Sequence, residues 1–480
     1  METISHFNPF NQPANKDVFR LAETAGLKIY LVGGFIRDFL LNKEGNGSFA
    51  KDLDFAVAGG PAIEFARQVA ESLSGHFVLL DEKNDTARVV LDEGINLDFA
   101  GCVGGSIEND IKRRDFTINA LAWDAAEPEK IIDLVGGMDD IKTLTIRAIS
   151  EDNLVDDPLR LLRAFRFSAT TSGAIDKVTL GYIGKQAKLL ATVAPERISY
   201  ELFLLMEHPA FAVTQQMAET GLLEVIFPEL TACRKVTTNA YHHLGLFDHS
   251  LELLKQAESR LNELPQWALD SFAQPISFGI TRLSATKVAC LLHDIGKPDT
   301  WQITDEGRHT FYGHDNLGAE MTETISERLR WSKPLSRFIV KLVKWHLRPG
   351  QLYHQGPPTT KAVHRFYRNV GFDLPELMLL AFADLDSTCG AGLPEENKSL
   401  LAKNLIELFH GFSVFINEQR STARFLDGNE VMHILGIKAG PIVGELLDLL
   451  DEAQGVGEIT DKDQAKQFIK QAFENQQSAT

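Results

Sequence analysis

The stretch Lys51-Asp52-Leu53-Asp54-Phe55-Ala56-Val57 decides the fold once it is set beside Leu31-Val32-Gly33-Gly34-Phe35-Ile36-Arg37-Asp38 upstream. Successive strand side chains point to opposite faces, so Asp52 and Asp54 share one face while Leu53 and Phe55 share the other. Two carboxylates so close repel each other. The pair therefore belongs either at a solvated strand end or against a cation. D-x-D alone is short and common, so the surroundings have to decide. Residues 27–34 read as a buried strand ending in a Gly-Gly turn, and residues 35–41 open a helix. Gly33 and Gly34 let backbone N–H groups approach a phosphate at a helix start, with Arg37 following. Residues 95–101 form a further apolar strand carrying Asp98, which joins the pair if the two strands are neighbours. Three carboxylates on adjacent strands make an oxygen-rich site suited to Mg²⁺. Two such ions can bridge an attacking hydroxyl and a triphosphate.

With 480 residues, at roughly 150 per domain, the chain has room for about three or four domains. The first ~150 residues mix strands (27–34, 51–57, 76–81, 87–92, 95–101) with helices, including an amphipathic helix over residues 61–75 closed by Gly75. Beyond them helical periodicity takes over, so the fold class is α+β, a small mixed sheet with helices followed by a mainly helical body. The divisions expected are 1–148, 149–230, 231–390 and 391–480. Residues 271–279 and 353–360 look like loops, and 383–399 like a boundary. The net charge of −18 requires any nucleic acid to be met by a local basic surface. Four scattered cysteines, Cys102, Cys233, Cys290 and Cys389, contain no C-x-x-C and fit a reducing cytoplasm. The amino terminus lacks a basic, then apolar, leader, and no run near twenty apolar residues is expected, so no membrane partner is either.

Taken in order, "LVGGFIRDFLL", "KDLDFAV", "RRDFTINALAW", "DLVGGMDDI" and "DDPLRLLRAFRFSA" resemble the class II tRNA nucleotidyltransferase and bacterial poly(A) polymerase family over roughly residues 25 to 230. The resemblance implies Asp52 and Asp54 as ligands of two Mg²⁺ ions, with Asp98 as the third carboxylate. It also implies Gly33, Gly34 and Arg37 at the triphosphate, and Arg114, Asp115 and Asn119 around sugar and phosphates. Those residue types suit the task, because arginine forks match phosphate geometry while Asp and Asn hold ribose hydroxyls or orient arginines.

Asp157 before Pro158 reads as a helix N-cap followed by proline at the first helical position. On the helix after it Arg160, Arg163 and Arg166 recur every three residues, a stripe that needs anions, whether from substrate or from the protein itself. The resemblance implies Asp157 and Arg160 as an amino-acid template. A carboxylate accepts from the exocyclic amine of C or A and an arginine donates to the ring nitrogen, while G and U present the wrong pattern. The family usually has Glu where this chain has Asp156.

Farther on, His249, the adjacent His293 and Asp294, and Asp384 occur in the order of an HD-type phosphohydrolase domain, with His314 and His346 at its extra histidine positions. Imidazole plus carboxylate suits Mn, Fe, Co or Ni, and a metal-bound water could attack a phosphoester. Residues 425–469 resemble the tail of HD-containing tRNA nucleotidyltransferases, with helix boundaries at Asp427-Gly428 and Gly440-Pro441. Residues 364–369, "HRFYRN", could touch RNA or form a plain amphipathic face. The resulting expectation is an enzyme that adds C and/or A to the tRNA 3′ end from CTP and ATP, as monomer or homodimer. Its rivals are CC-only or A-only addition, a poly(A) polymerase, and an HD phosphohydrolase with a nucleotide-binding head.

Overall fold

A computed structural model describes residues 8–41, 51–237, 244–388, 394–421, 424–455 and 457–478. Cys389 and part of the expected 383–399 boundary lie outside the described residues. The chain divides into two compact units, Met1–Ile226 and Phe227–Thr480. The divisions expected at 148 and 390 fall inside these units.

The first unit is built on a seven-stranded sheet. In chain order it runs α1 (Pro13–Thr24), β1 (Lys28–Val32), α2 (Gly34–Leu40), β2 (Asp52–Ala58), α3 (Ala62–Ser72), β3 (His76–Asp81), β4 (Thr86–Val90), β5 (Asn96–Gly101), α4 (Ile107–Lys112), β6 (Leu121–Trp123) and β7 (Ile131–Asp133). The spatial order is β3-β4-β5-β2-β1-β6-β7, antiparallel except for the parallel β2–β5 pair. Alternation in β2 works as expected: Leu53, Phe55 and Val57 are buried while Asp52 is exposed and Asp54 half-buried. Phe55 stacks on Phe99 of β5 at 5.2 Å. Helix α3 closes earlier than expected, at Ser72, and Ser74 rather than Gly75 takes the left-handed turn (φ 53°). Gly75 serves a different need, since a Cβ there would stand 2.7 Å from Val89 of β4.

After the sheet come α5 (Gly137–Lys142), α6 (Glu151–Asp156), α7 (Leu159–Thr171) and, farther along, the helix Pro195–Met206. Helix α7 begins one residue later than the cap reading, after Pro158. Asp157 nevertheless keeps an extended backbone and accepts from the Leu159 N–H at 3.4 Å, so a capping role survives.

The second unit is mainly helical, its principal helices being Leu246–Leu261, Arg282–Leu292, His314–Arg328, Lys333–Trp345 and Leu374–Ser387. Two small hairpins interrupt it, and one strand, Pro275–Ser277, lies in the stretch expected to be loop. In the tail, Asp427 forms a capping box with Glu430, and Pro441 opens Pro441–Gly455, as the two boundary motifs implied. "HRFYRN" is an amphipathic face. His364, Phe366 and Tyr367 are buried, Arg365 grips Glu452 at 2.8 Å, and Arg368 donates to the Asp448 carbonyl. One expectation needs correction: Glu395–Ile416 is long and apolar enough to cross a membrane by length and composition. Leu405, Leu408, Phe409 and Phe412 are buried at helical spacing there, while Leu400, Ile406 and Val414 are exposed and Lys403 pairs with Glu407 on the open side, so one face of the helix packs and the other does not.

Candidate active site and a second metal-type centre

Register places the acids. The parallel β2–β5 pairing sets Asp54 directly beside Asp98, and Asp52 beside Asn96, whose Nδ2 donates to Asp52 Oδ1 at 2.8 Å. On the other side β1 ends with Val32 opposite Asp54, and the chain turns at Gly33 (φ 78°). A Cβ on Gly33 would meet Asp54 Oδ2 at 3.0 Å and Arg114 Nη1 at 3.5 Å, so glycine is required both by the turn and by the close approach. The Gly33 N–H already donates to the Leu121 carbonyl at 3.3 Å. Its contribution is therefore space rather than a phosphate-facing donor, which corrects the expectation for that residue.

Burial, with like charge from Asp98 and Asp52, pushes the Asp54 carboxyl up to about 6, against the pull of Arg114. Arg114 is itself braced by the buried Asp110, at 3.0 Å. Asp98 is claimed by a residue that sequence reading missed: Arg88 of β4 donates from Nε and Nη2 to its two carboxylate oxygens, both at 2.7 Å.

A continuous polar relay runs from α2 to α7. Arg37 is buried, forks onto Asp38 and donates to Asn119 Oδ1 at 2.6 Å; Asn119 donates to Asp115 Oδ1 at 3.2 Å. Asp115 accepts from Arg163 at 2.8 and 3.0 Å and from the Phe116 N–H at 2.8 Å. Glu201, on Pro195–Met206, takes both Arg163 and Arg166. The arginine stripe thus finds anions within the protein for Arg163 and Arg166. Arg160 differs: one terminal nitrogen holds the Arg113 and Asn153 carbonyls, each at 2.9 Å. Asp157 Oδ2 accepts from Arg197 at 3.1 Å. Arg197 and Glu201 also escaped the sequence reading, although two charges four residues apart in the apolar helix "PERISYELFLLM" were a usable signal.

In the second unit every HD residue named from sequence is brought together. Asp294 is central, with carboxylate oxygens 3.0 Å from His293 Nε2, 3.2 Å from His314 Nε2, 3.5 Å from His346 Nε2 and 3.8 Å from His249 Nε2. Asp384 lies 3.2 Å from His249. The Nδ1 atoms of His293, His314 and His346 each face a backbone carbonyl, of Cys290, Phe311 and Val343. Only an N–H satisfies a carbonyl, so each ring, when neutral, has Nε2 as its free acceptor, the tautomer a metal ligand needs. Burial opposes charge on Asp294, but His293 and Lys297 outweigh it and hold the carboxyl well below its usual range. The ligand atoms of His249, His293 and Asp294 lie within 4.8 Å of one another, as do those of Asp294, His314 and His346. These donors fit a pair of metal positions sharing one carboxylate. Among the described residues the Asp52, Asp54 and Asp98 oxygens do not gather that tightly, since Asn96 and Arg88 hold two of the three. Their all-oxygen chemistry still fits Mg²⁺, which usually completes its shell with water and phosphate. A cleft of about 840 Å³, lined by Lys297, Arg308, Tyr312, His314, His346 and Asp384, opens onto the HD cluster.

Known families match along the chain. The poly A polymerase head domain matches residues 29–102 and 95–147, a probable RNA-binding segment of polymerase A matches 174–234, and the HD domain matches 246–389. The A-adding tRNA nucleotidyltransferase of Deinococcus radiodurans is 32% identical over 450 residues, spanning 92% of this chain and 94% of its own. The chain belongs to the tRNA nucleotidyltransferase family. The CC-adding tRNA nucleotidyltransferase of Thermus thermophilus is 30% identical, with 91% and 92% covered. Among solved structures, the fold matches the Thermotoga maritima CCA-adding enzyme complexed with tRNA (TM-score 0.63, 21% identity, 98% of this chain and 100% of that one). It also matches a CCA-adding enzyme with ATP (TM-score 0.65, 21% identity, 98% and 99%). For this nucleotidyltransferase, the β2–β5 cluster is the candidate transfer centre, and the relay joins α2 to α7.

Proposed function

We propose that this nucleotidyltransferase adds C and/or A to the 3′ end of tRNA from CTP and ATP, without a nucleic-acid template and with release of pyrophosphate. The observation that carries this reading is the β2–β5 register, which sets Asp54 beside Asp98 with the Gly33 turn against Asp54 and Arg114 adjoining. The tRNA 3′-hydroxyl oxygen bonds to the α-phosphorus as the bond to the pyrophosphate oxygen breaks. Asp52 and Asp54 would hold Mg²⁺, which when bound neutralises charge on attacking and leaving oxygens. Arg114 and Arg37 supply the cationic surround for the triphosphate, and Asn119 and Asp115 keep Arg37 and Arg163 in place. Asp157 and Arg160 would read C and A: Arg197 steadies Asp157 from the side, and Arg160, anchored by one nitrogen, keeps its remaining donors for a base. The three described cysteines are buried free thiols, which suits the cytoplasm we assign to the reaction.

The test offers CTP and ATP, separately and together, to tRNA ending at the discriminator base, at C and at CC. Wild-type protein is expected to extend at least one of these, and Asp52→Ala with Asp54→Ala to extend none. Labelled nucleotide incorporation surviving the double change would sink the assignment.

A second reading rests on the HD cluster: His249, His293, Asp294 and Asp384, with His314 and His346, would hold one or two transition-metal ions and hydrolyse a phosphoester in the adjoining cleft. Release of phosphate from a nucleotide or 2′,3′-cyclic phosphate, lost in His293→Ala, tests it.

A further inference from the structure

Arg88 stands in the same row as the acids. It is directly opposite Asp98 across the antiparallel β4–β5 pair, and Asp98 is directly beside Asp54 across the parallel β5–β2 pair. Cross-strand partners on one face project together, so Arg88, Asp98 and Asp54 form a line across three strands. The contact between Arg88 and Asp98 is a fork, two bonds of 2.7 Å made by Nε and Nη2 to separate oxygens. Such a fork fixes the plane of a carboxylate, which a single ammonium contact would leave free to turn. It also takes one lone pair on each oxygen, out of roughly four acceptor positions per carboxylate. Asp98 is therefore presented to its neighbours in one orientation, with a cation already competing for its charge.

We propose that Arg88 is a positioning residue for nucleotidyl transfer: it orients Asp98 toward the reacting centre and limits how tightly Asp98 holds a metal ion. This rests on the reading of Asp52, Asp54 and Asp98 as the transfer centre. Two consequences point in opposite directions, which makes them diagnostic. Loss of the fork lets Asp98 turn away from the productive geometry, and misplacement on the order of 1 Å costs about a hundredfold in rate. Loss of the positive charge leaves Asp98 a better partner for a divalent cation.

The experiment compares wild type, Arg88→Met, Arg88→Lys, Asp98→Asn and Arg88→Met with Asp98→Asn, all as full-length chains. Initial rates of CTP and ATP incorporation are read together with Mg²⁺ binding, measured by calorimetric titration with CTP present and tRNA absent. The HD cluster is unchanged in Arg88→Met, so the difference from wild type reports on the head. In Arg88→Met, kcat is expected to fall by about ten- to a hundredfold with KM for nucleotide within about twofold, while Mg²⁺ binds more tightly. In Arg88→Lys, where the charge and the aliphatic stem remain but the fork is gone, Mg²⁺ affinity returns toward wild type while kcat stays low. In the Asp98→Asn background, Arg88→Met should add little, because its effect passes through Asp98. A wild-type kcat in Arg88→Met overturns the proposal, as does a rate loss with unchanged Mg²⁺ affinity or one that adds in full to Asp98→Asn. Full activity in Asp98→Asn would overturn the underlying place of Asp98 in the centre, a failure distinguishable from that of Arg88 alone.

Discussion

Asp115 is buried, yet its oxygens accept from the Phe116 N–H, Asn119 and both arms of the Arg163 fork. Burial alone would raise its pKa, but Arg163 and the backbone donor outweigh it and bring the carboxyl down from 3.8 to about 2. A carboxyl depressed on folding binds fewer protons in the native chain than in the unfolded one between those two values. Its stabilisation is therefore complete above pH ~4 and lost as pH falls through ~2, and a drop of about two units corresponds to about 2–3 kcal/mol. Asp115→Asn should be less stable than wild type by about that amount at pH 6, with the gap narrowing toward pH 2. Urea denaturation of both proteins across this range checks the sign, and a gap that widens on acidification would contradict it. Sequence supplied Asp115 as a residue type near sugar and phosphate; its hold on Arg163, 48 positions away, could not be read there. Arg88 escaped for a related reason: at an alternating polar position in a strand, a solvated arginine and one gripping a neighbouring strand's aspartate look the same.

Strand β2 shows how an element converts pattern into site geometry. Phe55 is buried, stacks on Phe99 and meets Phe19 edge-on at 6.1 Å, so the face opposite the acids is locked into an aromatic cluster. Phe55→Ala should cost about 3–5 kcal/mol and slow nucleotide incorporation even at temperatures where the protein stays folded, because Asp54 rides on the same backbone. Denaturation midpoints and initial rates separate the two effects, and an unchanged rate would show that the acids do not depend on this anchor. The alternation was fully legible because it is local. Helix α7 was legible only in part, since its arginine stripe demanded anions without naming them. The main one, Glu201, arrives 35 residues beyond Arg166, on Pro195–Met206. Its carboxylate is buried and serves two guanidinium groups, so Glu201→Ala would leave Arg166 without its anion and Arg163 with Asp115 alone. A loss of about 3–5 kcal/mol in denaturation is expected, the usual range for a broken buried pair.

At the scale of the whole molecule, two kinds of donor set are segregated. The first unit offers carboxylate oxygens on a sheet, and the second offers imidazole nitrogens around one carboxylate at helix ends: His293 and His346 cap the C-termini of Arg282–Leu292 and Lys333–Trp345, and His314 begins His314–Arg328. This second set was legible because each histidine sits in a short motif whose order survives folding, whereas the shared role of Asp294 emerges only when four helices converge. Donor chemistry then dictates different ions, hard oxygen ligands favouring Mg²⁺ and imidazole favouring later transition metals. After exhaustive chelation, Mg²⁺ alone should restore nucleotide addition while leaving phosphoester hydrolysis near background; Mn²⁺, Co²⁺ or Ni²⁺ should be needed for the latter. His293→Ala should abolish hydrolysis with addition reduced less than about twofold, and Asp54→Asn the reverse, since no ligand is common to the two sets and sites without shared partners behave independently. If Mg²⁺ restored both activities equally, or if either substitution silenced both, the two chemistries would have to draw on one centre, and the separation of oxygen and nitrogen donors would have no functional meaning.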